Sequence, residues 1–213
     1  AGVDDDGNGF VDDVYGYNFV EAKDVVGGKI EPDNEGHGTH VAGTVAARNN
    51  NGKGVAGVAG GNGTPDSGVR LMSCQIFRGK DEQGDAAAAI KYAADNGAVI
   101  CQNSWGYSST SGVTAMPKLL KEAVDYFIKM AGCDANGQQR ANSPMKGGVV
   151  IFAAGNENKE FAAYPACYPP AVSVSAMAWN FAKASFSNYA RWITIMAPGG
   201  DQDTFGTEGG ILS

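Results

Sequence analysis

Short apolar runs alternate with helix-spaced patterns along most of the chain, and this order narrows the fold more than any other feature. Strand-like runs fall at 14–20, 69–77, 98–103, 148–154, 171–176 and 193–197, and several are continuous in Val and Ile, as expected of strands covered on both faces. Helices are predicted over 38–48, 85–95 and 117–131. In the last, Leu120, Ala123, Val124, Phe127, Ile128 and Ala131 make one apolar stripe, with Pro117 in the first turn and Gly132 past the end. Strands separated by crossover helices specify an α/β protein with a mostly parallel sheet flanked by helices. With 213 residues, 43% hydrophobic and 18% charged, the chain suits one domain with a single core. The Gly- and Asn-rich stretches 49–68 and 133–147 read as surface excursions rather than linkers.

Charge removes some partners. A net charge of -7 opposes phosphate neutralisation and offers no basic patch to an anionic bilayer, so neither nucleic acid nor membrane is expected. No apolar run approaches the roughly 18 residues of a membrane span, and no charged-then-apolar leader opens the sequence, so a soluble protein is expected. An opening at Ala1 and an ending at Gly209-Gly210-Ile211-Leu212-Ser213, with no helix to tie it down, suggest a processed piece. Cys74, Cys101, Cys133 and Cys167 lack the close pairing of zinc or redox sites, and Cys74 and Cys101 are expected as buried thiols. A bridge from Cys133 to Cys167 stays open but has no support in the sequence.

Three stretches carry side chains suited to chemistry. Both histidines fall in His37-Gly38-Thr39-His40-Val41-Ala42-Gly43-Thr44, where a helix should begin. A general base, an H-x-x-H metal pair and a packed core histidine are all open on these residues alone. The run Val149-Val150-Ile151-Phe152-Ala153-Ala154-Gly155-Asn156-Glu157 is a buried strand with an amide at its carboxyl end, the edge where parallel sheets bind ligands; a turn-forming Asn is the plainer reading. Asn103-Ser104-Trp105-Gly106, at another strand's end, is either extended backbone able to pair with a peptide or an ordinary junction.

In this order, H-G-T-H-V-A-G-T, N-S-W-G and A-A-G-N-E resemble the subtilisin-like serine peptidases, the subtilases. The likeness continues through Gly54-Val55-Ala56-Gly57-Val58-Ala59, Ala184-Ser185-Phe186-Ser187 and Met196-Ala197-Pro198-Gly199-Gly200. The resemblance implies a three-layer subtilisin-like fold and a serine endopeptidase acting on extended polypeptide through a Ser-His-Asp acyl-enzyme mechanism. It makes His37 the catalytic base and packs His40 as a structural residue. Asn156 becomes the oxyanion-hole donor, a role whose loss in subtilisin costs on the order of 10² to 10³ in turnover. Ser104, Trp105 and Gly106 become one of two segments that sandwich the substrate backbone, the stretch around Gln83 and Gly84 the other. Ala153, Ala154 and Gly155 line the pocket beside the scissile bond. The resemblance also implies an extracellular or cell-envelope location.

The pattern is incomplete. The family order is Asp, His, Ser, yet no D-[ST]-G after an apolar strand precedes His37. Asp66-Ser67-Gly68 mimics it but follows His37 and reads as a turn; Asp33 is a weak candidate for orienting the imidazole. No G-T-S-M-A segment occurs, Ser213 does not stand in for it, and Ser185 and Ser187 are structural by resemblance. Residues 1–213 therefore read as a single, incomplete catalytic domain, lacking the acid-bearing central strand and the nucleophile helix. Alone they are expected to be inactive, with a gap in the sheet between 77 and 98. Missing N- and C-terminal segments of the same protein, or a neighbouring copy, are the expected partners beside polypeptide substrate. A non-catalytic peptide-binding module on a truncated fold is the alternative, and a metal-dependent hydrolase using His37 and His40 a distant third.

Asp4, Asp6, Asn8 and Asp12 occupy positions 1, 3, 5 and 9 of an EF-hand-like loop, with Gly9 at the turn and the Phe10 carbonyl at position 7. The expectation is a structural Ca²⁺ ion, with an acidic solvated turn as the plainer alternative. Position 12 is Tyr15 rather than Glu, leaving Asp12 or Asp13 to compensate.

Overall fold

A computed structural model of the chain describes residues 2–20, 28–32, 35–79 and 82–213. The chain divides into two compact units, Ala1–Ala89 with Leu212–Ser213, and Ile90–Ile211.

In the first unit, β1 (Gly16–Asn18) runs parallel to β2 (Ser73–Gln75), with Gly16 opposite Ser73. Only glycine fits there: a Cβ would lie 1.9 Å from the Ser73 carbonyl oxygen. The run 69–77 is not one strand. It divides into β2 and β3 (Phe77–Arg78), because β1 offers only three pairing residues and β3 turns to pair antiparallel with β4 (Glu82–Gln83). Helix α1 (His37–Ala46) starts after Gly36, whose φ of 65° is left-handed. The excursion after it returns to cover the helix's last carbonyls: the N–H groups of Val58, Ala59 and Gly57 donate to Thr44, Val45 and Ala47 at 2.9, 2.7 and 2.9 Å. Close approach explains its glycines, since a Cβ on Gly57 would meet the Ala47 nitrogen at 2.4 Å.

Helix α2 (Ala86–Asp95) runs across the division between the units. Asp85 caps it by accepting the Ala88 N–H at 2.9 Å, and Gly97, at φ 93°, ends it.

The second unit is a four-stranded parallel sheet of β5 (Ile100–Asn103), β6 (Val149–Ala153), β7 (Val172–Met177) and β8 (Ile195–Pro198), in that order. Helix α3 (Lys118–Met130) crosses between β5 and β6 and buries Leu120, Ala123, Val124 and Phe127 of the stripe its spacing predicts; Ala131 is buried just past its end, and Ile128 is half-buried. Gly148 leaves room for the Phe127 ring, whose Cε1 would stand 2.4 Å from an added Cβ. Among the described residues no ladder joins β1–β2 to the four-stranded sheet.

The end of the chain is more structured than its glycines suggest. Helix α4 (Gln202–Phe205) and a 3-10 turn over Thr207–Gly209 follow β8, held by the buried Asp201. No disulfide joins the four cysteines; Cys133 is buried, whereas Cys74 and Cys101 are only half-buried, because β2 and β5 are each paired along one side among the described residues. Burial still pushes the Cys101 thiol up to about 11. Among the described residues no helix is long and apolar enough to cross a membrane.

Candidate active site

The carboxyl ends of the four parallel strands open on a cavity of about 250 Å³, whose lining includes Gln102, Ser104, Ala154, Gly155, Asn156 and Gly199. Strand β6 delivers Asn156 to it through Gly155, whose φ of 98° turns the chain away from the sheet. A side chain at 155 would collide with the Asn188 amide, its Cβ 2.4 Å from Nδ2. The Asn156 side chain is exposed, and among the described residues its amide has no hydrogen-bond partner. A neutral donor at this edge can stabilise negative charge developing on a bound carbonyl oxygen.

Beside it, the junction after β5 is fixed by a buried amide. Asn103 Nδ2 donates to the carbonyls of Cys101 and Ile151, each at 3.2 Å, and Asn103 Oδ1 accepts the indole N–H of Trp105 at 3.1 Å. The Trp105 ring then meets Phe152 edge-on, with centroids 5.5 Å apart. Ser104 Oγ accepts from Gln102 at 2.6 Å. At Gly106 an added Cβ would sit 3.3 Å from the Tyr164 carbonyl oxygen, which itself accepts the Tyr107 N–H at 2.9 Å. Ser104, Trp105 and Gly106 thus lie on one anchored segment next to the cavity.

The first unit holds the remaining candidates. His37 opens α1 with its ring exposed, and α1 has no buried residue, so His40 is exposed rather than packed. Its main chain is engaged: the His40 N–H donates to Gly36 at 2.9 Å, and its carbonyl accepts from Ser213 Oγ at 2.6 Å. Asp33 lies outside the described residues. Gln83 faces Phe77 in the β3–β4 hairpin, while the Gly84 N–H donates to Ile76 at 2.7 Å. A Cβ on Gly84 would stand 2.4 Å from the Phe19 carbonyl oxygen. This segment has therefore committed main-chain groups to its own unit. Asp66 stands in a turn at φ 59°, its carboxylate paired with Arg70 at 3.0 Å, as a turn reading of Asp66-Ser67-Gly68 requires.

The acidic loop is wound round Asp4. One carboxylate oxygen of Asp4 accepts the N–H groups of Gly7 and Asn8 at 2.8 and 3.1 Å, and the other accepts Gly9 at 2.8 Å. The Gly9 bond leads the effects that hold its carboxyl below the usual range. Asp6 and Asp13 accept from the Asn8 amide, Asp12 accepts the Gly2 N–H at 2.6 Å, and the Phe10 ring packs on Tyr17 at 4.8 Å. Among the described residues no three His, Cys, Asp or Glu side chains gather to hold a metal.

The sequence profile described as the Subtilase family matches residues 3–212. The chain belongs to the subtilase family. It is 33% identical over 189 residues to the thermophilic serine proteinase of Bacillus sp. (strain AK1), covering 88% of this chain and 39% of that protein. It is 34% identical over 182 residues to thermitase of Thermoactinomyces vulgaris, covering 82% and 56%. Among solved structures, a protease from Pseudoalteromonas arctica PAMC 21717 superposes with a TM-score of 0.63 at 29% identity, over 88% of this chain and 57% of that one. The chain thus spans roughly two fifths to three fifths of these relatives' length. Its α/β architecture with a parallel sheet is the subtilase fold they share.

Two side chains in this subtilase site escape a reading by motif. Asn188, fully buried, and Glu157 bind each other and the turn around Asn156. Asn188 lies more than thirty residues along the chain from that turn, and nothing in Ser187-Asn188-Tyr189 marks it; Glu157 was visible only as the neighbour of Asn156. Ser185 and Ser187 are structural: Ser185 donates to Asp201, and Ser187 Oγ accepts the Ala176 N–H at 2.9 Å.

Proposed function

We propose that the protein to which residues 1–213 belong is a serine endopeptidase that cleaves extended polypeptide through an acyl-enzyme, acting outside the cytoplasm, as suits a subtilase. His37 serves as general base and Asn156 donates to the oxyanion. Ser104, Trp105 and Gly106 lay the substrate main chain along the cavity, with Ala154 and Gly155 beside the scissile bond. The observation that carries this is the Asn156 amide, unpaired among the described residues and set at the carboxyl edge of a parallel sheet behind a glycine that no other residue could replace without collision. The Bacillus sp. (strain AK1) relative is a serine proteinase by name, which supports the reaction class.

The acid and the nucleophile are not among residues 1–213, where no D-[ST]-G precedes His37 in sequence and no G-T-S-M-A occurs. A polypeptide of these residues alone is inactive, because without the serine no acyl-enzyme forms. Intact mass before and after a fluorophosphonate probe tests both halves. Residues 1–213 should take no adduct; the protein that also carries those two segments should take one, and Asn156→Ala should lower its kcat by about 10² to 10³. An intact protein that takes no adduct would be a non-catalytic peptide-binding module. Calcium in the loop at Asp4, Asp6, Asn8, Phe10 and Asp12 rests on oxygen spacing alone. Millimolar calcium should raise the melting temperature, and a flat response removes the ion.

A further inference from the structure

The turn that carries Asn156 is held by one side chain from a distant part of the second unit. Asn188 is 0% exposed. Its Nδ2 donates to the Ala154 carbonyl at 2.9 Å and to Glu157 Oε2 at 2.7 Å. Its Oδ1 accepts the N–H groups of Glu157 at 3.0 Å and Lys159 at 3.1 Å. Its own N–H donates to the Gly155 carbonyl at 3.0 Å. Five bonds thus grip residues 154, 155, 157 and 159, on both sides of Asn156 and without touching Asn156 itself.

The chemistry demands an amide. Two partners are acceptors and two are donors, so the side chain must offer both kinds of group in one plane. Aspartate would face the Glu157 carboxylate with no donor, and serine has a single hydroxyl where the site presents four partners. The same pattern fixes which end of the amide is nitrogen. Glu157 extends the grip, since its Oε1 accepts the Ser109 N–H at 3.0 Å and so ties the turn to the segment that follows Gly106.

We propose that Asn188 is a positioning residue for the Asn156 amide, its five hydrogen bonds fixing the turn that presents Asn156 to the cavity. This rests on the reading of Asn156 as the oxyanion donor. A donor acts on a developing charge only if it is held in place before the reaction, and a displacement of about 1 Å can cost on the order of 10²-fold.

The test uses the intact protein and a double-mutant cycle. Asn188→Ala should lower kcat by about 10-fold or more with KM changed less than about threefold, and should cost nothing further once Asn156→Ala is present. A loss of the same size in the Asn156→Ala background, or one confined to KM, overturns the proposal, because Asn188 would then act on the fold or on binding rather than through Asn156. Since Asn188→Ala strips partners from buried groups, a swapped pair provides a second arm. Asn188→Asp alone sets two carboxylates together and should lose activity; adding Glu157→Gln restores a donor toward one of the two acceptors, the Ala154 carbonyl still meeting an oxygen, and should recover about threefold. Amide exchange separates this inference from the reading it rests on. If the wild type cleaves nothing, the endopeptidase reading fails by itself. In that case faster exchange at Glu157 and Lys159 in Asn188→Ala still supports the positioning, and unchanged exchange overturns it.

Discussion

Asp201 shows how one side chain can organise the chain beyond the last strand. It is 3% exposed and accepts four hydrogen bonds: from the Ser185 N–H and Oγ at 2.7 and 2.8 Å, and from the Thr204 N–H and Oγ1 at 3.1 and 3.0 Å. Burial pushes its carboxyl up, but the bonds from Ser185 and Thr204 outweigh that and leave it below its ordinary 3.8. A carboxyl depressed by folding stabilises the native state fully above its unfolded value, and the contribution is lost as pH falls from there through the lower folded value. We therefore expect the melting temperature of the wild type to drop below about pH 4 more steeply than that of Asp201→Asn, and the variant to melt lower at neutral pH, because its amide nitrogen cannot accept from these donors. Parallel curves from pH 2 to 7 would remove Asp201 from the acid response. Of its partners, Thr204 lies three residues along, the spacing of a helix cap, whereas Ser185 comes into place only through the fold and nothing in the sequence marks that pairing.

At the scale of elements, the sequence was most legible where apolar periodicity is strong. The α3 stripe, the stop at Gly132 and the run feeding β6 all stand where spacing puts them, because burial of one face decides a helix and burial of both faces decides a central strand. Legibility failed where pairing decides instead. The run 69–77 is apolar enough for one strand, yet its ladder to β1 covers only three residues and the chain then turns into a hairpin with Glu82–Gln83. The α3–β6 contact supplies a test of packing. Phe127 is 0% exposed, so Phe127→Ala should cost about 3 to 5 kcal/mol by urea unfolding. Gly148→Ala puts a methyl group 2.4 Å from the ring and should cost about 1 to 3 kcal/mol. Together they should cost less than the sum, since removing the ring makes room for the methyl. Leu119→Ala, on the open face and 70% exposed, should stay within about 0.5 kcal/mol. Additive losses for Phe127 and Gly148 would mean that the ring and the glycine do not meet.

For the whole molecule, stability should be uneven in a way that bears on chemistry. The family was legible because H-G-T-H, N-S-W-G and A-A-G-N stand in the family's order; a steric demand for glycine accompanies two of them, at Gly106 against the Tyr164 carbonyl oxygen and at Gly155 against the Asn188 amide, whereas Gly38 has open space around it. The distribution of stability was not legible, because α1 has an apolar composition and still no buried residue, whereas Val124, Phe127, Val150 and Phe152 are fully buried in the second unit. Amides open with free energies that follow such differences, from near zero up to the global value. We expect amides of Val41–Ala46 to exchange at least about 10²-fold faster than those of Phe127, Val150 and Phe152 at pH 7, measured by native-state hydrogen exchange. Equal protection across both sets would mean that the two units open together. The expected difference puts His37 on an element that opens easily and Asn156 at the end of a strand that does not. On the proposed reading of these two residues, the base is then the adjustable group and the oxyanion donor the fixed one. That division suits the chemistry, because a base need only reach its proton by a hydrogen bond, whereas a donor to developing charge must be in place beforehand.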